Sequence, residues 1–505
     1  MRHILDDQGN PRARSAWLEW APVIVALLHA ATLFDVGPVD DDYIVYRYAR
    51  HWVEGLGPVF NPREVPVDGV TSPGWFLLAA LGLWGGASPA VWTPLVGASS
   101  FALLVLVVGR WARARDRSRF AELAPWAVAV SPAVAWHAVA GLGTMPLAAA
   151  IALGFHRWAR WAAGEAQGVA LPGLAFAVAC TLRVEALVPW AACVVAMRPA
   201  RRLGVTEVWW MASPLLALLV LSGLRWEWFG SLTPHALGLK ALPLAVELEY
   251  GARYLVRSLS EGGLSLMLLL AVLVPRTDPE GRAISLAALG SLVAVLGVGG
   301  DWMVYSRFLV PFVGVGAVGA VGMVAGLGRG RLRVLPAAGA AVLVVALPGA
   351  GLAARPQAVF EHRFFEHHWL RMGAAFGELA PPGSAVGVSP IGAFGWASRL
   401  PVVDILGLTH AAFLEQPPDL VGVKVKGHHR HDGSWVLDQA PDYLILGNGV
   451  IQPQTGTLDA NPWEADILAD PRFHRMYRPL SLVLEEGGGE AVVPYFAREG
   501  VRAVR

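Results

Sequence analysis

The chain has 505 residues, of which 55% are hydrophobic and only 16% charged, with a formal net charge of +1 and a mean hydropathy of +0.48. That balance excludes an ordinary soluble domain, and the absence of a continuous basic stretch excludes nucleic acid as a partner. It implies a polytopic membrane protein whose cations, nearly all arginine, fall in short clusters between apolar runs.

Residues 1–17 are polar and carry Arg2, Arg12 and Arg14. The positive-inside rule therefore makes them a cytoplasmic N-terminus and sends residues 18–36 outward as a retained anchor. That span delivers Asp40, Asp41 and Asp42 to the outer face. Carboxylates are costly in hydrocarbon, so this run reads either as a solvated helix end or as a functional cluster at headgroup level. Residues 72–86, SPGWFLLAALGLWGG, are apolar but too short for a core that needs roughly 20 residues. They are expected to lie in the membrane plane or re-enter it, leaving 88–109 as the second span, which ends at the inward cluster RWARARDRSR.

The later runs alternate so that each arginine cluster falls inside. Residues 121–140 run outward, 144–160 return to HRWAR, and 168–182 with 185–197 form a short pair ending at RPARR. Residues 205–224 go out, 262–274 return to RTDPEGR, 283–298 go out, 308–326 return to GRGRLR, and 334–353 go out. The expected architecture is an α-helical polytopic membrane module over 18–353, with about 11 transmembrane helices and a first outer loop at 37–87. Residues 354–505 change character. An amphipathic helix at 359–379 and a Pro381-Pro382-Gly383 break precede the β-prone runs SAVGVSP, LPVVDILGL and DYLILGN. This alternation predicts a small extracytoplasmic α/β domain. Cys180 and Cys193, inside apolar runs, read as small buried thiols rather than a disulfide pair.

With this threading, the polar residues of the outer loops gather on one face. The first loop supplies Asp40, Asp41, Tyr43, Arg47, Tyr48, Asn61 and Asp68, and LRVEAL supplies Arg183 and Glu185. LRWEWFGSLTPHALGLK adds Arg225, His235 and Lys240, and GGDWMVYSRF adds Asp301 and Arg307. Cations at headgroup level can bind the phosphate of a lipid-linked group, while an aspartate can take the proton of an attacking hydroxyl. Each residue also has a plainer reading. Arg183 with Glu185, and Arg307 with Asp301, are equally structural pairs, and Lys240 a headgroup anchor. The histidines of KGHHRHDG match no strong zinc spacing.

In order along the chain, DDDYI, RYAR, GLGPVFNP, DGVTSPGW, LRVEAL, WFGSLTPHALGLK, GGDWMVYSRFLVP and VVDILGLTH resemble the motifs of the GT-C polytopic glycosyltransferases. Within that class the series is similar to the mycobacterial terminal β-(1→2)-arabinofuranosyltransferase group. The resemblance implies an inverting glycosyltransferase of the cytoplasmic (inner) membrane, with its C-terminal domain outside. It would move a sugar, arabinofuranose in that group, from a polyprenyl-phosphate donor to a cell-envelope glycan or lipid acceptor. It puts the general base at Asp40 or Asp41, the donor-phosphate cations at Arg183, Lys240 and Arg307, and substrate-orienting residues at Asp42, Tyr43, Arg47, Glu185, His235 and Asp301. No cofactor is implied for certain, and a divalent cation on the carboxylate run stays open. This chain departs from the pattern at Gly143, where the family carries an acid, and at His235 and Val184, where it carries asparagine and proline. A transporter or flippase of lipid-linked sugar, or an inactive glycan-binding scaffold of the same fold, is the alternative.

Overall fold

A computed structural model describes residues 12–504 apart from 117, 166–167, 198–202, 328–337, 341, 451–457, 459 and 487–488. The RPARR and GRGRLR clusters and residues 1–11 therefore lie outside the described residues. The chain divides into two compact units: Met1–Gly37, Ala90–Leu221 and Leu244–Ala358 form the first, and Pro38–Pro89, Ser222–Pro243 and Val359–Arg505 the second.

The first unit is helical. It begins with α1 (Arg12–Ala31) and, after the segment that belongs to the second unit, continues with α4 (Pro89–Arg115). Across the described residues, four helices are long and apolar enough to cross a membrane: Pro89–Arg115, Val205–Phe229, Pro279–Val298 and Val310–Leu327. Counting each of three bent helix pairs as one broken span raises the number to at most seven, and the remaining expected spans fall on shorter helices such as Ala170–Leu182. One helix has no counterpart in the sequence reading. Leu244–Ser260 is amphipathic and bends by 104° into Leu264–Val272. Its Glu249, Arg253 and Arg257 interrupt the apolar run and so hide the helix from a hydropathy criterion, while their i,i+4 spacing supports it. Cys180 and Cys193 are both buried and free.

The second unit is built on a five-stranded sheet in the order β2-β1-β3-β5-β4. β1 (Val386–Val388), β2 (Val402–Asp404) and β3 (Tyr443–Ile445) arise from the three β-prone runs and pair in parallel. β4 (Tyr477–Glu486) and β5 (Gly489–Arg498) form an antiparallel hairpin that extends the sheet beside β3. Phe413, Val436, Leu444, Ile467 and Phe473 fill the core, and Leu239 of the short helix His235–Lys240 joins them. Here α2 (Asp40–Val53) and α3 (Pro73–Trp84) pack as a pair, and α2 also packs on the helix Ile391–Ser398. Gly392 permits that second contact, because a Cβ there would overlap the Asp40 carbonyl. Residues 38–89 and the Lys240 loop thus belong to the same compact unit as the C-terminal domain.

Candidate active site

The three aspartates occupy the first turn of α2, with Arg50 and His51 in its last turn. Both ends suit the helix dipole, at roughly 0.3–1 kcal/mol for each well-placed charge. Beyond that the three differ. Asp42 is fully buried and accepts a hydrogen bond from Trp75 Nε1 at 2.6 Å. Asp40 accepts from the backbone N–H groups of Ala393 at 2.7 Å and Gly392 at 3.3 Å, which places its carboxylate on the N-terminus of the helix Ile391–Ser398. Its own N–H donates to Glu366 Oε1 at 2.8 Å. Burial pushes the Asp40 carboxyl up to about 7, against the pull of the Ala393 N–H and with the Asp41 charge adding to the rise. Asp41 is half-buried, and its carboxylate makes no hydrogen bond or ion pair among the described residues.

The rest of α2 is held by its basic and aromatic side chains. Arg47, 1% exposed, donates to the carbonyls of Phe60 (2.8 Å), Leu400 (2.7 Å) and Gly395, and to Asn61 Oδ1 (2.9 Å). Asn61 in turn pairs with both backbone groups of Val402, donating to its carbonyl at 2.8 Å and accepting from its N–H at 3.1 Å. A side-chain amide thereby takes the place of a neighbouring strand at the β2 edge of the sheet. Tyr43 is buried against Trp396, with ring centroids 6.4 Å apart, and burial raises its phenol so that it stays neutral.

The helix His235–Lys240 brings the lysine to the same unit. Arg430 donates to the carbonyls of Leu239 and Ala241, and Lys426 Nζ donates to the Lys240 carbonyl at 3.2 Å. The Lys240 side chain runs past Gly427, and its ammonium makes no hydrogen bond or ion pair among the described residues. His428 packs against Trp463, with ring centroids 4.6 Å apart and the planes tilted by 32°. Burial and the Lys240 cation push its imidazole down to about 4, with Asp41 pulling the other way. Lys240 and Asp41 therefore act on His428 with opposite charges. His235 Nε2 bonds the Gly407 carbonyl at 3.0 Å, and burial lowers its pKa. Asp404 of the VVDILGLTH run folds its own turn by accepting from Leu406 and Thr409. Asp68 pairs with Arg225 at 2.8 Å.

In the first unit, two distant loops meet at Phe308. The Arg183 guanidinium lies 4.7 Å from that ring and Arg307 5.2 Å. Arg183 pairs with Glu185, and Arg307 lies 2.7 Å from Asp301. The loop carrying Asp301 and Arg307 is clamped by the amphipathic helix Leu244–Ser260 and the turn that follows it. Arg257 donates to the Asp301 and Met303 carbonyls, Tyr254 Oη accepts from the Phe308 N–H, and Ser306 bonds Glu261. The clamp holds Tyr305 and Ser306 at φ of 60° and 50°. Gly143 has φ of 68° at the start of the helix Thr144–Ala162, a conformation that disfavours the acid expected there.

Two residues of this region were not singled out in the sequence. Glu366, 5% exposed, meets Asp40 across 326 positions, and its Oε2 has no hydrogen-bond partner among the described residues. His428 was visible only as part of a histidine run weighed for zinc. Among the described residues, no three His, Cys, Asp or Glu side chains are placed to hold a metal ion. The aspartate run diverges as well, with Asp40 committed to a helix terminus and Asp42 to Trp75.

A family model described as a domain of unknown function (DUF8728) matches residues 358–490, much of the second unit. No curated protein matches the chain in sequence. Among solved structures, ArnT from Cupriavidus metallidurans bound to undecaprenyl phosphate aligns with a TM-score of 0.54 at 14% identity, over 95% of this chain and 98% of that one. The same protein in the apo state gives 0.56 at 13% identity over the same shares. The fold is that of the GT-C glycosyltransferases. The mycobacterial arabinofuranosyltransferase AftD also aligns, with a TM-score of 0.47 at 14% identity over 95% of this chain and 41% of that one. At such identities the likeness extends to the GT-C fold alone.

Proposed function

We propose that this chain is a membrane glycosyltransferase that moves a sugar from a polyprenyl-phosphate donor to a cell-envelope glycan or lipid acceptor, with Asp41 as general base. The observation that supports the reading is that a carboxylate, Asp41, and an ammonium, Lys240, neither bonded among the described residues, both act on the buried imidazole of His428 in the same compact unit. The other two aspartates of the run are tied to Ala393 and Trp75. The undecaprenyl phosphate bound to ArnT supports a polyprenyl-phosphate carrier.

In this reaction the acceptor hydroxyl gives its proton to Asp41 as its oxygen attacks the anomeric carbon. The bond from that carbon to the phosphate oxygen breaks, and polyprenyl phosphate leaves with the electron pair. Lys240 holds the negative charge of the departing phosphate. In the first unit, Arg183 and Arg307 keep the reading of phosphate-binding cations on their chemistry alone, with Glu185 and Asp301 as their orienting partners; in the second unit, Asp42, Tyr43, Arg47 and His235 shape the region around Asp41 through the contacts described. Arabinofuranose is the first sugar to test.

The test is single-turnover transfer by the full chain in lipid nanodiscs, using polyprenyl-phosphate arabinofuranose, mannose and glucose with a mixed glycan acceptor. Transfer from one donor, reduced about 10² to 10⁴-fold in Asp41→Asn, is the expected result. Donor binding without transfer from any sugar would favour a transporter or a glycan-binding scaffold and end this reading.

A further inference from the structure

Two cavities adjoin in the first unit. One, of about 780 Å³, is lined in part by Trp111, Arg115, Asp278 and Glu280. Its Arg115 is neutralised by Asp278 at 3.4 Å and Glu280 at 3.3 Å. The second, of about 430 Å³, shares His156 and Arg160 with the first and is otherwise walled by Glu19, Arg110, Arg113 and Arg157. Four guanidiniums and an imidazole thus face one carboxylate.

Those side chains are incompletely served by the protein. Glu19 takes Arg110 at 2.5 Å, and Glu122, outside the wall, takes Arg113 at 3.0 Å. Glu165 Oε2 stands 3.4 Å from Arg160 Nε, an ion pair without a hydrogen bond, and His156 Nδ1 is buried without a hydrogen-bond partner among the described residues. Arg157 is exposed and pairs with no carboxylate among the described residues. Three of the four guanidiniums thus have one carboxylate each and Arg157 has none, which leaves a net positive charge that attracts an anion.

The position of the cavity identifies the anion. The helix Pro279–Val298 has Asp278 and Glu280 at the end that lines the first cavity, and Asp301 and Arg307 follow its other end. At 1.5 Å per residue its 20 residues span about 30 Å, the thickness of a hydrocarbon core. On α1, Trp17 and Trp20 are 72% and 48% exposed within a turn of Glu19, and such tryptophans sit at headgroup level. We propose that the Arg110, Arg113, His156, Arg157 and Arg160 cavity binds the phosphate of an anionic membrane lipid headgroup, at the end of the first unit remote from Arg183 and Arg307. The guanidinium fork matches phosphate oxygens, and basic pockets between membrane helices suit such headgroups.

Native mass spectrometry of the detergent-solubilised full chain tests this with phosphatidylglycerol and phosphatidylcholine as probes. One phosphatidylglycerol should be retained about tenfold in preference to phosphatidylcholine. The double variant Arg157→Gln/Arg160→Gln should lose that preference, whereas Arg253→Gln, a cation outside the cavity, should keep it. If the double variant is unstable, Arg157→Gln alone, at an exposed position, should still weaken retention severalfold. Equal retention of the two lipids, or a preference that survives Arg157→Gln and the double variant, overturns the proposal. Displacement of the bound lipid by millimolar inorganic phosphate overturns it too, and reassigns the cavity to soluble phosphate.

Discussion

Asp40 and Asp41 are neighbours whose substitutions should separate activity from stability. Asp41→Asn removes a half-exposed carboxylate that makes no hydrogen bond or ion pair among the described residues, so transfer should fall about 10² to 10⁴-fold while the melting temperature stays put. Asp40→Asn acts on the fold. The Asp40 carboxyl titrates near 7 in the folded chain, above its value of about 3.9 when unfolded. The folded chain therefore binds this proton more tightly. The stability it contributes is complete below about pH 4 and is lost as pH rises through about 7. Comparing melting temperatures at about pH 5.5 and pH 8 should show a larger drop in the wild type than in Asp40→Asn. Arg47 bonds to four acceptors from inside the unit, so Arg47→Ala should cost on the order of 3 kcal/mol or more by denaturant titration. Nothing in the run of three aspartates distinguishes these fates, because what separates them is Ala393 in one case and Trp75 in another, both contributed by other elements.

At the scale of elements, the decisive one is the loop after Pro279–Val298. Gly300 holds φ of 69°, and a Cβ there would lie 2.8 Å from Tyr254 Cβ with the ring closer still. Gly300→Ala should therefore cost about 2 kcal/mol or more and raise amide hydrogen exchange through residues 299–308, displacing Asp301 and Arg307. Unchanged exchange in that segment would show that the amphipathic helix Leu244–Ser260 does not clamp the loop. The sequence announced the loop through GGDW and announced β1, β2 and β3 through their apolar runs. It concealed the helix that holds the loop, since hydropathy looks for apolar windows and this helix carries charge at every turn. It also gave no sign that Asn61 would complete the β2 edge.

For the whole molecule, the arginine pattern predicts that the N-terminus lies inside and the C-terminus outside. Alkaline phosphatase fused after residue 505 should be active in the periplasm, and a fluorescent protein fused at the same point should stay dark. A bright fluorescent fusion with an inactive phosphatase fusion would reverse the topology and with it the side on which Asp41 meets its acceptor. The compact units also differ from a simple division at residue 354. Segments 38–89 and 222–243 join the C-terminal domain because Asp40, Arg47, Asn61 and Leu239 make their bonds and contacts there.

The sequence by itself determined the membrane class, the helical module, the small α/β domain and the polar residues worth examining, because hydropathy and charge act over short windows that any stretch of chain displays. The tertiary structure alone decided which carboxylate of the aspartate run and which lysine go unbonded among the described residues, and where His428 stands. Those properties depend on burial and on partners hundreds of positions away, and neither is set by a residue's own neighbours in the chain.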